Sequence, residues 1–138
     1  MSDEKIIAEA RRWLETARGD LESSRVLKGS GRWAHACFHA QQAAEKALKA
    51  LWYRLELDPW GHSVRQLVDL LETEAPDSHR AVRDLADAAS DLDQFYIPTR
   101  YPNGLPDLTP DQAFTEAMAN RSESLAAAIV DRISALMR

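Results

Sequence analysis

An all-α fold, an antiparallel up-and-down four-helix bundle with an additional helix, is what this sequence predicts. Three observations carry that expectation. Apolar residues recur at three- and four-residue steps through long stretches, the period of a helix with one face on a core. No stretch alternates apolar and polar residues at period two, so no sheet is expected. Glycine and proline are sparse, 5 and 6 among 138 residues, and they divide the chain into long segments with short links.

The first helix is expected from about Asp3 to Lys28. Ile6, Ala10, Trp13, Ala17, Leu21 and Ser24 form one stripe, Ser2 or Asp3 can cap it, and Gly29 follows its end. The second, about Arg32 to Leu57, resolves into three stripes at 100° per residue. A bulky stripe holds Ala34, Cys37, Phe38, Leu48, Leu51, Trp52 and Leu55, and a small one holds Ala36, Ala40, Ala43, Ala47 and Ala50. The third, with His35, His39, Gln42, Lys46 and Lys49, is polar. A helix apolar on two of three sides belongs at the centre of a bundle. Its alanines let another helix approach closely, from the same chain or from a second copy.

Shorter helices follow, roughly Ser63 to Glu74 and Ser78 to Phe95, the latter capped by Asp77 or Ser78. The stretch from Ile97 to Pro110 holds four of the six prolines and reads as the one long loop. Thr109-Pro110, a cap followed by proline at the first helical position, opens the last helix. Phe114, Met118, Leu125, Ile129, Ile133 and Leu136 are its expected apolar side.

This length suits a single domain over residues 1–138. A net charge of -5 argues against sequence-independent nucleic-acid binding, which depends on excess Lys and Arg. The lone Cys37 cannot form an internal disulfide and reads as a buried, inert thiol. No apolar run approaches the roughly 18–20 residues of a membrane span, and Met1 to Arg12 lacks the apolar core of a signal peptide. A cytoplasmic location is expected.

Few residues suggest chemistry. His35 and His39 have a zinc-compatible spacing, but no Glu or Cys completes the set and Lys46 and Lys49 share their face, so no metal or cofactor is expected. No nucleophile motif is present. Gln41 points into the bulky stripe and Glu45 lies at its edge. A buried amide or carboxylate needs partners; Arg121, Arg100 and Tyr96 are the candidates. The pair reads either as a structural network or as the lining of a pocket. The run from Asp91 to Pro102 packs two acids, Tyr96, Tyr101 and Arg100 together, fit either to hold a ligand or to pin the loop.

The string from Ala36 to Ala50, ACFHAQQAAEKALKA, resembles the second-helix signature of prokaryotic HEPN-domain proteins. Trp13-Leu14 with Asp20-Leu21, His62-Ser63 with Leu67, and Tyr96 to Pro102 resemble further family segments in the same order. The resemblance covers nearly the whole chain. It implies an up-and-down bundle, usually dimeric, typically encoded beside a minimal nucleotidyltransferase in a two-component, toxin–antitoxin-like system. It also implies either nucleotide binding or metal-independent ribonuclease activity. The ribonuclease branch carries Arg, four to six residues, then His, in a late helix. No such pair lies in the last two helices here, and Arg32 with His39 has the spacing in the wrong helix. The resemblance therefore favours a non-catalytic member binding a nucleotide, an RNA end or the nucleotidyltransferase. The expected ligand-binding set is Gln41, Glu45, Lys49, His62, Tyr96, Arg100 and Tyr101. Lys49 and Arg100 would meet phosphate, and Tyr96 or Tyr101 would stack on a base. The rivals are an RNA-cleaving toxin using His39 with Arg32 or His62 with Arg100, and a structural dimeric adaptor.

Overall fold

A computed structural model describes residues 2–138. Eight α-helical segments and two short 3-10 turns make up the fold, and the described residues contain no strand. The first helix, α1 (Asp3–Gly29), begins where the Ser2 hydroxyl accepts from Lys5 N–H. It reaches one residue past its expected end, and Gly31, at φ +76°, makes the turn into α2 (Trp33–Arg54). That turn needs a left-handed backbone, which glycine adopts without steric cost.

Each later segment predicted as one helix is divided. Residues 63 to 74 form α3 (Val64–Asp69) and α4 (Leu71–Glu74). The next segment starts at Pro76 rather than Ser78, because proline suits the first helical position. It runs as α5 (Pro76–Val82), a 3-10 turn at Arg83–Leu85, and α6 (Ala86–Asp93). Arg132 donates to the Ala81 carbonyl at 2.9 Å beside that irregularity. Thr109 opens only a single capped turn, α7 (Pro110–Ala113). The backbone then extends at Phe114 and Thr115, and Thr115 caps α8 (Glu116–Leu136) by accepting from Met118 N–H. Phe114 gains burial against Ala34 and Cys37 by this break. Met118 and Leu136, expected on the apolar side, are exposed because the core-facing line of α8 runs instead through Ala119, Ser122, Ala126, Ile129, Val130 and Ile133.

The bundle is up-and-down. Ser24 bonds the Ala36 carbonyl at 2.8 Å while Lys46 meets Asp20 at 2.6 Å and Trp13 meets Tyr53, so α1 and α2 run antiparallel. The pairs Arg25–Glu123 and Arg18–Ser134 set α8 antiparallel to α1. Arg121–Asp91 and Arg132–Asp84 set α5–α6 antiparallel to α8. These four long elements are the bundle, and α3–α4 is the additional segment. The central helix is α2, which touches α1, α8, α3 and α6.

The alanine stripe is consumed inside the chain. Ala36, Ala40, Ala43, Ala47 and Ala50 are all fully buried, and α1 answers with its own buried small residues Ala10, Ala17 and Ser24, seven apart. Small residues facing small residues bring two helix backbones close together.

Candidate functional site

The site begins with a polar line along α2. Gln41 is fully buried, Glu45 is 3% exposed and Lys49 is 9% exposed. One helical turn separates each from the next, so all three stand on one face. The Lys49 ammonium lies 3.2 Å from Glu45 Oε2, and Gln41 Nε2 lies 3.4 Å from Glu45 Oε1. Gln41 also donates to the His62 carbonyl at 3.1 Å, and Gln42 donates to Gln41 Oε1 at 2.7 Å. The partners expected from sequence are elsewhere. Arg121 pairs with Asp91 on the surface, and Arg100 and Tyr96 are occupied by each other and by neighbouring rings.

His62 joins this buried line to the surface. Its Nδ1 is 3.4 Å from Glu45 Oε1, while its ring stacks on Tyr96 with centroids 4.7 Å apart and planes 18° apart. The loop bearing His62 is held by Asp93 at the end of α6. That carboxylate accepts from Ser63 Oγ at 2.7 Å, Val64 N–H at 2.6 Å and Arg65 N–H at 3.1 Å. It thus sits on the N-terminus of α3, where free N–H groups and the helix dipole favour an anion.

Arg100 completes the arrangement. Its guanidinium lies 4.5 Å from the Tyr96 ring, 4.6 Å from Phe38 and 5.1 Å from Tyr101. Its Nε donates to the Tyr96 carbonyl at 2.9 Å, and among the described residues it forms no ion pair. A guanidinium layered on aromatic faces keeps its Nη edge available for a planar or anionic ligand. Tyr101 is half exposed and lies at the rim.

All seven residues expected from sequence therefore fall into one continuous chain of contacts. They divide into a buried tier, Gln41, Glu45 and Lys49, and an outer tier, His62, Tyr96, Arg100 and Tyr101. Sequence reasoning missed Phe38, assigned to the core but lying beneath Arg100. Its place three residues before Gln41 put it on the same face and was the available signal. It also missed Asp93 as the clamp on α3. The other acid–base pair weighed, Arg32 with His39, is not brought together. Arg32 pairs with Asp111 at 3.5 Å, and His39 Nδ1 stands 3.9 Å from Asp20.

Comparison with known proteins bears on this arrangement. The HEPN domain profile matches residues 10–135, which include every residue of the site. The chain belongs to the HEPN family. HEPN relatives of known structure share the fold over nearly their full lengths. TT1696 from Thermus thermophilus is 39% identical with a TM-score of 0.82, over 91% of this chain and 96% of that one. ST0689, described as an archaeal HEPN homologue, is 31% identical with a TM-score of 0.75, over 94% and 98%. An HEPN domain protein from Thermotoga maritima is 30% identical with a TM-score of 0.67, over 91% and 96%. No curated protein matches the chain. No helix of this HEPN domain is long and apolar enough to cross a membrane, among the described residues.

Proposed function

We propose that this HEPN protein is a non-catalytic binding component that takes a nucleotide or RNA end on its outer tier and pairs with a minimal nucleotidyltransferase. The observation that carries the ligand reading is the Arg100 guanidinium resting on Phe38, Tyr96 and Tyr101. The half-exposed Tyr101 ring supplies stacking surface for a base and the guanidinium edge supplies donors for phosphate, while Tyr96 already stacks on His62 and Arg100. Gln41, Glu45 and Lys49 act from beneath: Lys49 is committed to Glu45, and Glu45 orients His62. The nucleotidyltransferase partner and the homodimer rest on family membership, in which both are expected.

A thermal-shift screen with nucleoside mono-, di- and triphosphates, on wild type and Arg100→Ala, tests the site. A ligand at about 100 times its dissociation constant adds about 2.7 kcal/mol to stability. A shift that vanishes in Arg100→Ala supports the reading. An equal shift in both proteins makes Arg100 structural, and no shift with any nucleotide favours the adaptor.

One observation favours a second reading, the metal-independent ribonuclease. The Glu45 carboxylate within 3.4 Å of His62 Nδ1 is the carboxylate–histidine arrangement that fixes an imidazole for proton transfer. Arg100, across the Tyr96 ring, would meet the phosphate. Purified dimer that leaves RNA intact excludes this reading; cleavage abolished by His62→Ala establishes it.

A further inference from the structure

A cleft of about 650 Å³ opens at the opposite end of α2 from Phe38, between the first half of α1, the last residue of α2 and the end of α8. Arg11, Arg18, Arg54 and Arg138 line it, with Glu15 as its one acidic side chain. Among the described residues, seven arginines pair with carboxylates. None of the four in the cleft does, although Glu15 is on the same helix as two of them. Arg18 instead donates to Ser134, which holds it across the α1–α8 seam. Four guanidinium groups against one acidic side chain, Glu15, gather at this concavity in a chain whose net charge is -5. Like charges gathered without partners repel one another, and a cleft focuses their field on whatever enters.

Part of the charge has a local explanation. Arg54 stands in the last turn of α2, where a cation offsets the helix dipole, and Arg138 lies two residues beyond the end of α8. Arg11 and Arg18 lie within α1 and have no such role. Leu14 and Met137 give the cleft an apolar floor. The combination of several forked donors, one acid and an apolar floor suits an anion that carries more than one phosphate.

We propose that this cleft binds a linear polyphosphate, free or as the tail of a nucleoside triphosphate, at a site separate from the Arg100 platform. The two sites share no lining residue. Arg11 and Arg54 approach the chain from α1 and α2, and Arg18 is pre-positioned by Ser134.

The test is isothermal titration calorimetry of the full chain with inorganic tripolyphosphate at low ionic strength. Wild type binds, and orthophosphate binds more weakly because it reaches fewer arginines. Arg11→Gln/Arg54→Gln binds at least about tenfold more weakly, since a hydrogen bond to a charged group contributes about tenfold or more. Arg83→Gln, which removes an unpaired arginine outside the cleft, binds as wild type does. Circular dichroism establishes that each variant is folded. Equal affinity for ATP and tripolyphosphate makes the phosphate chain the ligand; tighter ATP binding lost in the double variant adds the nucleoside on the apolar floor. No binding by wild type overturns the proposal. So does undiminished binding by the double variant, which places the anion elsewhere, or an equal loss in Arg83→Gln, which reduces the effect to bulk charge.

Discussion

Glu45 Oε2 lies 3.2 Å from Lys49 Nζ, one turn further along α2, and both side chains are nearly sealed from water. Removing one member of a buried ion pair strands the other without a partner and costs about 3–5 kcal/mol. Glu45→Ala should lose stability of that order in urea unfolding, because it strands Lys49 and takes a contact from both Gln41 and His62. Glu45→Leu combined with Lys49→Met should lose less than Glu45→Ala alone, since no charge is left buried. Equal losses would mean that the pair is not the stabilising element.

Asp93 controls where His62 stands. Its carboxylate occupies the N-terminus of α3 through three hydrogen bonds. Asp93→Ala should destabilise the protein by about 1–2 kcal/mol, the scale of a lost helix cap. It should also loosen the His62–Tyr96 stack. The ring-current shift of the His62 protons in NMR spectra reads the second effect, and an unchanged shift would show the loop is held by other contacts.

Ala43 tests the fate of the alanine stripe. It is fully buried in the core that also holds Leu14, Ala17 and Leu21 of α1, so Ala43→Leu should overpack that core and cost about 1–3 kcal/mol. The measurement is the thermal midpoint alongside the mass in solution. A change of oligomeric mass at unchanged stability would assign the stripe to an interface between copies.

Acid should weaken the α1–α8 junction. Burial pulls the Glu123 carboxyl up, but Lys28 and Arg25 outweigh it and hold its pKa below the ordinary 4.5. A depressed folded pKa means that the unfolded chain binds the proton first as pH falls. The stabilisation is therefore complete above about pH 4.5 and is lost as pH drops through the lower folded value. Asp20 behaves likewise: burial raises its pKa, yet His39 and Lys46 bring it below the ordinary 3.8. Glu123→Gln should be less stable than wild type at neutral pH, with the gap closing in acid. Parallel stability curves for the two proteins would show that Glu123 does not contribute.

Much of the fold was legible because helix periodicity is local. The stripe of α1 is buried nearly as read from sequence, with Leu14 taking the innermost place beside a half-buried Trp13. The divisions of the later helices were not legible. Two of them lie where a distant residue takes over a backbone group or a side chain: Arg132 at Ala81, and the Ala34–Cys37 cluster that receives Phe114. Gln41 and Glu45 were recognisable as polar residues in an apolar setting. Their main outside partner, His62, lies far along the chain and on a different element.

From the sequence alone came the helical architecture and the central place of α2, which follow from period and residue size, properties of neighbouring residues. The grouping of the seven candidate residues came from their resemblance to the family's segments. Tertiary structure alone decided that the alanines face α1, that Lys49 turns inward to Glu45 while Arg100 stays on the aromatic surface, and that four distant arginines share a cleft. Those outcomes depend on which helices meet, and a side chain's pattern states what it can pack against without naming the partner.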